Sequence, residues 1–181
     1  MAIGEIRAGN VMGAGGDVVY AASAKGSWVV ANDDATAAQA ATDHLNPSAI
    51  DEPSFHWVKI GPGVTRAVIR AKYPKGSTVS ASPVVYPILA YGEPNADGSM
   101  PADGSVRFLR ADNADSDAAG LTLTLTTGGN GLMVDDTYAY SDPVSLTAAD
   151  LLGADYLGVV VGTAANVGGA GAVPIEVLLL N

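Results

Sequence analysis

Cysteine is absent from this chain of 181 residues, and aromatic residues are scarce. The absence of cysteine excludes disulfide bonds, thiolate metal sites and a cysteine nucleophile. Phe and Trp occur only twice each, so the hydrophobic 48% of the chain consists mainly of small residues such as Ala and Val. A chain of this length can still bury a sizeable core as one domain, or as one domain with an arm.

Long hydrophobic runs are absent as well. Apolar stretches such as residues 173–180 have the length of a β-strand and fall far short of the roughly 20 residues that span a bilayer as a helix. The N-terminus has no basic segment followed by an apolar one, so we expect no signal peptide and synthesis in the cytoplasm. We therefore expect no membrane partner.

Basic residues are missing from the C-terminal part of the chain. All nine Lys and Arg lie at or before Arg110, whereas nine carboxylates follow it, and the formal net charge is −10. A nucleic-acid-binding protein needs basic side chains to displace counterions from phosphate, so no nucleic-acid partner is expected. The uneven charge instead favours electrostatic selection of a protein partner.

Strand patterns dominate the chain after residue 55. Leu121, Leu123 and Leu125 alternate strictly with threonines, which is the period of a half-buried strand. About nine such patterns follow residue 55, separated by turn residues and without a helix between them. This series predicts an antiparallel β-sandwich or barrel over residues 51–181.

Three segments of this region carry more detailed expectations. In the run 64–72, Arg66, Arg70 and Lys72 share the parity of Val64 and Val68, which predicts a mixed polar and apolar face. The run 77–91 contains two prolines, at 83 and 87, and is predicted to lie at a sheet edge or to be broken by a bulge. The two apolar runs within residues 142–181, joined by a Gly-rich loop, predict a closing hairpin.

Residues 1–50 are less regular and are predicted to form an N-terminal arm. Residues 1–16 are small and Gly-rich, with too few hydrophobic side chains to fold alone. Residues 17–22 and 27–31 are predicted to pair as a small hairpin. Residues 32–44 are predicted to form one short helix, capped by Asn32 or Asp33.

Residues with catalytic potential are few. His44 and His56 are the only histidines, with no metal-binding spacing between them, and structural roles are favoured for both. There is no nucleophile elbow, and the glycine clusters lack the strand and helix that flank a phosphate-binding loop. We therefore predict a protein that is not an enzyme, with no catalytic, cofactor-binding or metal residues and no cofactor.

An acidic cluster leaves one alternative open. It consists of Asp112, Asn113, Asp115 and Asp117, and the last three match the first positions of an EF-hand loop. The match then fails, because Ala118 stands where the loop needs glycine and Thr124 where it needs a bidentate glutamate. A solvated acidic loop is favoured over Ca²⁺ binding, to which Asp135 and Asp136 could contribute ligands.

A row of exposed aromatic residues is typical of carbohydrate-binding modules. The candidates in this chain are equally compatible with core or rim positions; they are Trp28, Trp57, Tyr73, Tyr86 and Tyr91.

The closing segment D-L-L-G-A-D-Y-L-G-V-V-V-G-T-A, followed by a Gly/Ala loop and V-P-I-E-V-L-L-L-N, resembles the C-terminal strands of jelly-roll proteins on tailed-phage particles. The stretches V-T-R-A-V-I-R-A-K and G-S-T-V-S-A-S-P-V-V-Y-P-I-L-A-Y-G look like the preceding strands of such proteins. The resemblance covers about residues 55–181. It implies an all-β, antiparallel, jelly-roll-like β-sandwich, to which the residues above add an N-terminal arm with a hairpin and one short helix.

The same resemblance implies a non-enzymatic structural protein of the virion, a capsid decoration (cement) protein on the outer capsid surface. Its partners would be the major capsid protein and further copies of itself, with a trimer favoured. Residues 1–50 are the segment that we expect to contact the capsid, because they depart most from self-contained packing. The alternatives are a carbohydrate-binding module and the receptor-binding head of a fibre or tail.

Overall fold

The computed structural model describes residues 18–20, 27–37, 55–74, 76–93, 106–108, 120–125, 138–168 and 171–181. These residues form thirteen strands in three sheets and one short helix. In chain order the strands are β1 Val18–Tyr20, β2 Trp28–Asn32, β3 Trp57–Lys59, β4 Arg66–Pro74, β5 Thr78–Ala81, β6 Val84–Ala90, β7 Val106–Phe108, β8 Leu121–Thr122, β9 Tyr138–Tyr140, β10 Val144–Thr147, β11 Tyr156–Thr163, β12 Asn166–Gly168 and β13 Ile175–Leu180. The helix, α1, is Ala148–Leu151.

The strands are arranged in two large sheets and one small one. Sheet one has the order β1-β3-β11-β6-β7, with β8 also pairing with β6. Sheet two has the order β10-β4-β13-β2, and β9 pairs with β4 beyond the end of β10. The third sheet is the pair β5 and β12. All described pairings are antiparallel except β1 with β3, so the predicted antiparallel all-β sandwich is confirmed.

The main core lies between sheet one and sheet two. Alternate residues of β4 point into it, among them Ala67, Ile69 and Tyr73, all fully buried. From the opposite sheet, Leu157 and Val159 of β11 join the same cluster. Full burial of a Leu or Ile side chain contributes about 1.5–3 kcal/mol, so this layer is the main source of stability.

A second apolar cluster covers the other face of sheet one. It joins residues from β3, β6 and β11 with Phe55, whose ring meets the Trp57 ring edge-on at 5.0 Å between centroids. Because both faces of β11 are buried, this strand shows no alternation in its sequence. The remaining members of the cluster are Ile88, Ala90, Tyr156 and Val160.

The two C-terminal apolar runs do not form the predicted closing hairpin. The first run becomes β11, which pairs with β3 and β6 in sheet one. The second becomes β13, which pairs with β2 and β4 in sheet two. Between them β12 pairs with β5. The chain therefore crosses from sheet one to sheet two between these runs. Both runs are hydrophobic on both faces, so their sequences did not indicate which strands they would pair with.

The predicted N-terminal hairpin also differs from the described pairing. Both strands occur near their predicted positions, but β1 runs parallel to β3 in sheet one, whereas β2 pairs with β13 in sheet two. The short predicted turn suggested that β1 and β2 pair with each other, but β2 instead forms four residue pairs with β13. The division of the chain at residue 50 stays a prediction.

The predicted helix at 32–44 does not begin where its capping residues suggested. Asn32 ends β2, and its side-chain oxygen accepts a hydrogen bond from the Asp34 amide at 3.0 Å. Asp34 does the same for the Thr36 amide at 2.9 Å. Such side chains can cap a turn as well as a helix, and here they form consecutive Asx turns. Residues 38–44 lie outside the described residues.

The described helix is α1, which begins with a reciprocal capping box. The Asp150 amide donates to the Thr147 hydroxyl, and the Asp150 carboxylate accepts from the Thr147 amide at 2.7 Å. Within the described part of the chain, no helix has the length and apolar character needed to cross a bilayer.

The proline-containing run 77–91 is broken, as predicted, but its second half is not an edge strand. The break falls at residues 82 and 83, between β5 and β6. Pro87 lies inside β6, opposite Val159 of β11. On the other side of β6, pairing with β8 ends at Val85 and pairing with β7 begins at Ile88. Among the described residues, the proline, which has no N–H to donate, therefore lies between the two partner strands on that side of β6.

Candidate functional site: the outer face of sheet two

The outer face of sheet two is the surface of that sheet that points away from the core. It is continuous because alternate residues of neighbouring strands meet across the ladders. The registers align Trp28 with Leu178, Glu176 with Arg70, and Lys72 with Tyr140. The other members are Val30, Arg66, Val68, Tyr138, Ser145, Thr147 and Leu180.

Arg70 lies at the centre of this face. Its guanidinium carbon is 3.7 Å from the centroid of the Trp28 ring and 3.7 Å from that of Tyr140. Because β2 and β9 lie on opposite sides of β4, the two rings enclose the guanidinium, an arrangement that favours a cation electrostatically. Its Nε and Nη2 atoms contact Oε2 of Glu176 at 2.8 and 2.7 Å.

Two further cations occupy the same strand face. The Lys72 Nζ atom lies 4.0 Å from the centroid of the Tyr138 ring and 3.6 Å from Oε1 of Glu176. Arg66 is exposed and donates from Nη2 to the Ser145 hydroxyl at 2.8 Å. The described strand residues of this face therefore include three cations and one carboxylate, Glu176, and the strand face carries positive charge on a chain whose net charge is −10.

Apolar side chains adjoin the cations. Trp28 and Val30 of β2 and Leu178 and Leu180 of β13 are each partly exposed. A surface that combines aromatic, aliphatic and arginine side chains has the composition of protein interfaces, where Trp, Tyr and Arg are enriched. The mixed face that the parity of Arg66, Arg70 and Lys72 predicted is confirmed.

This arrangement is suited to binding a partner. Arg70 is held on three sides, so it loses little further side-chain freedom when a partner packs against the face. The face can bind carboxylates through its cations and apolar surface through its rings and aliphatic side chains. Among the described residues there is no group of three or more His, Asp or Glu that could hold a metal ion.

His56 takes part in a separate contact, close to sheet one. Its Nε2 atom lies 2.8 Å from Oδ2 of Asp33, whose side chain is 60% exposed. Its Nδ1 atom is buried without a hydrogen-bond partner in the described structure. The backbone amide of His56 donates to Ala31 at 2.9 Å, so this residue joins the end of β2 to the start of β3. His44 lies outside the described residues.

The acidic cluster at residues 112–117, together with Asp135 and Asp136, also lies outside the described residues, so the Ca²⁺ alternative stays open.

The five aromatic candidates do not form one exposed row. Trp57 and Tyr73 are buried, at 2% and 0% exposure, and belong to the two apolar clusters. Tyr86 lies on sheet one, where its ring packs against Gly162, and Tyr91 follows the end of β6. Only Trp28 lies on the outer face of sheet two, next to tyrosines that the sequence did not single out.

Three members of the site, Glu176, Tyr138 and Tyr140, could not be found from the sequence. Glu176 is 106 residues from its partner Arg70. The one available signal was a lone carboxylate inside the otherwise apolar final strand, since a charge there requires a partner of opposite sign.

No family model, no curated protein and no solved structure matches this chain.

Proposed function

We propose that this chain is a non-enzymatic structural protein of a tailed-phage virion, a capsid decoration (cement) protein that binds the outer capsid surface and stabilises the shell. The observation that carries the proposal is the outer face of sheet two, where cations and rings are held in place across four strands on the surface of a sandwich. Such a face is suited to adhesion. The resemblance of residues 55–181 to jelly-roll proteins of phage particles supports the same function.

In this proposal the sandwich supplies a rigid body, and residues 1–50 contact the major capsid protein. Binding adds buried surface across the joints between capsomers, which opposes their separation when the shell is under internal pressure. The protein acts at the capsid surface after synthesis in the host cytoplasm.

The test uses shells of the parent phage from which this protein has been removed. The purified protein should co-sediment with them to a fixed stoichiometry and raise the temperature at which they break open. A variant lacking residues 1–16 should bind more weakly, and its far-UV circular dichroism and thermal midpoint verify that the sandwich is still folded. If full-length protein stays in the supernatant, or if shells gain no stability on binding it, the proposal is wrong.

A carbohydrate-binding module or receptor-binding head is the second candidate. It is favoured by the partly exposed Trp28 and Tyr138 rings on one sheet face, since sugar rings stack on aromatic rings. Titration calorimetry with host surface glycans tests it, and Trp28→Ala should abolish the heat of binding. Glycan binding without shell binding would favour this candidate over the first.

A further inference from the structure

Leu152 occupies a conformation and an environment that leucine rarely adopts. It follows α1 with φ 51° and ψ 27°, in the left-handed region where Gly or Asn is usual at a helix end. The residue is 46% exposed, more than any other large hydrophobic residue among those described. Neither the helix end nor the core accounts for a leucine at this position, because glycine would make the same turn without strain.

Two exposed carboxylates lie at the end of sheet one that follows this leucine in the chain. Asp155 is three residues further along the chain, and its Oδ2 atom accepts a hydrogen bond from the Gly92 amide at 2.9 Å. That bond brings Glu93, also exposed, to the same end of sheet one. We name Leu152, Asp155 and Glu93 the acidic corner, which combines one exposed apolar residue with two exposed carboxylates.

The acidic corner and the outer face of sheet two are complementary. The face offers partly exposed Val30, Leu178 and Leu180 for the leucine, and Arg66 and Lys72 for the carboxylates. We propose that the outer face of sheet two binds the acidic corner of a second copy of this chain. This inference concerns contact between copies and does not depend on the proposed function.

Charge determines how the copies are related. Two outer faces repel each other, because each carries three cations and, among its described strand residues, one carboxylate, Glu176. The contact is therefore heterologous, with the face of one copy on the corner of the next. Heterologous contacts close into rings when the rotation between copies allows it, and otherwise continue as filaments.

The first measurement is sedimentation equilibrium of the full-length protein at low and high salt. We expect association that weakens as salt rises, because the contact pairs opposite charges. Leu152→Gly should weaken it by about tenfold or more, the effect of removing a central apolar anchor. Its thermal midpoint should not fall, because Gly readily adopts the backbone conformation of residue 152.

A face variant, Arg66→Glu with Leu180→Ser, should weaken association to a similar extent. Thr122→Glu adds a carboxylate on β8, at the end of β6 opposite to the acidic corner, and should leave association unchanged. Far-UV circular dichroism and the thermal midpoint verify that each variant is folded.

The decisive experiment mixes the corner variant with the face variant. Each alone lacks one half of the contact, but the mixture retains one intact face and one intact corner, so a heterodimer should form at the wild-type affinity. The proposal is overturned if the wild type is monomeric up to its solubility limit or if Leu152→Gly associates normally. Failure of two folded, dissociated variants to combine would also overturn it, since that result indicates a symmetric contact.

Discussion

The ring of Phe55 lies over Gly158 so closely that a Cβ atom on Gly158 would come within 2.3 Å of Phe55 Cζ. Phe55 cannot easily move away, because it is only 7% exposed and packs edge-on against Trp57. Glycine inside a strand normally weakens it, but here it makes room for an aromatic ring that covers the outer surface of sheet one.

Gly158→Ala should therefore lower the free energy of unfolding by about 1–3 kcal/mol, as other overpacking substitutions do. Gly168→Ala is the matched control, because a Cβ atom on Gly168 would lie 3.6 Å from its nearest neighbour, the backbone oxygen of Thr78. The control should change stability by less than about 1 kcal/mol, with a gain if the lower entropy of the unfolded chain dominates. Urea denaturation measures both, and equal stability of the two variants would contradict the packing argument.

Removal of the Arg70 guanidinium should lower the free energy of unfolding more than removal of the exposed Arg66 guanidinium. Arg70→Gln leaves the Glu176 carboxylate, whose side chain is 9% exposed, with Lys72 at 3.6 Å as its remaining ion-pair partner among the described residues. Breaking a buried ion pair from one side costs about 3–5 kcal/mol, and partial exposure of Arg70 places this one toward the lower value. Arg66→Gln, on the same strand and face but exposed, should cost less than about 1 kcal/mol. If chemical denaturation shows the same loss of stability for Arg70→Gln and Arg66→Gln, the contact between Arg70 and Glu176 does not stabilise the fold.

Acid should destabilise the protein in part through Asp34. Burial alone raises the pKa of this carboxyl, but hydrogen bonds from the Thr36 amide and hydroxyl and from the Val173 amide outweigh it and hold the pKa below its ordinary 3.8. A lowered pKa in the folded state contributes stability at neutral pH that is lost as pH falls below about 4. Asp34→Asn should therefore be less stable than wild type at pH 7 and should flatten the decline of stability in acid. Parallel pH profiles for the two proteins would exclude this contribution.

Alkali should destabilise the protein in part through Tyr73. Burial, opposed by a hydrogen bond from Ser82, raises the pKa of its hydroxyl from 10.0 to about 12. The unfolded chain ionises first, so stability should fall as pH rises from about 10 and level off above the folded pKa.

Tyr73→Phe should remove that alkaline decline. It should also cost about 1–2 kcal/mol at pH 7, because the Tyr73 hydroxyl donates to the Leu123 carbonyl at 3.1 Å in the core. Ultraviolet titration of phenolate absorbance together with urea denaturation measures both effects. If Tyr73→Phe instead removes a tyrosine that titrates near pH 10, the pKa of Tyr73 is not raised and the prediction is wrong.

Local patterns predicted strands well because burial on one face imposes a period of two. Leu121 and Leu123 are buried while Thr122 and Thr124 are exposed, as their alternation indicated. Along β4 the same rule separated Arg66, Arg70 and Lys72 from the core.

Pairing could not be predicted in the same way, because it depends on contacts between distant segments. Nothing in the run that forms β11 distinguishes sheet one from sheet two, and the turn between β1 and β2 suggested a neighbour that neither strand has. For the same reason Arg66, Arg70 and Lys72 could be placed on one face, but Tyr138, Tyr140 and Glu176 could not be assigned to them.

The position of β13 has a consequence for biosynthesis. This strand lies between β2 and β4, which do not pair with each other. Sheet two therefore stays in two pieces on the ribosome until residue 180 has emerged, and its apolar inner surface is open to chaperones until then. A ribosome that stalls before that point would release an unfinished chain whose β2 and β4 edges can each recruit strands from other molecules.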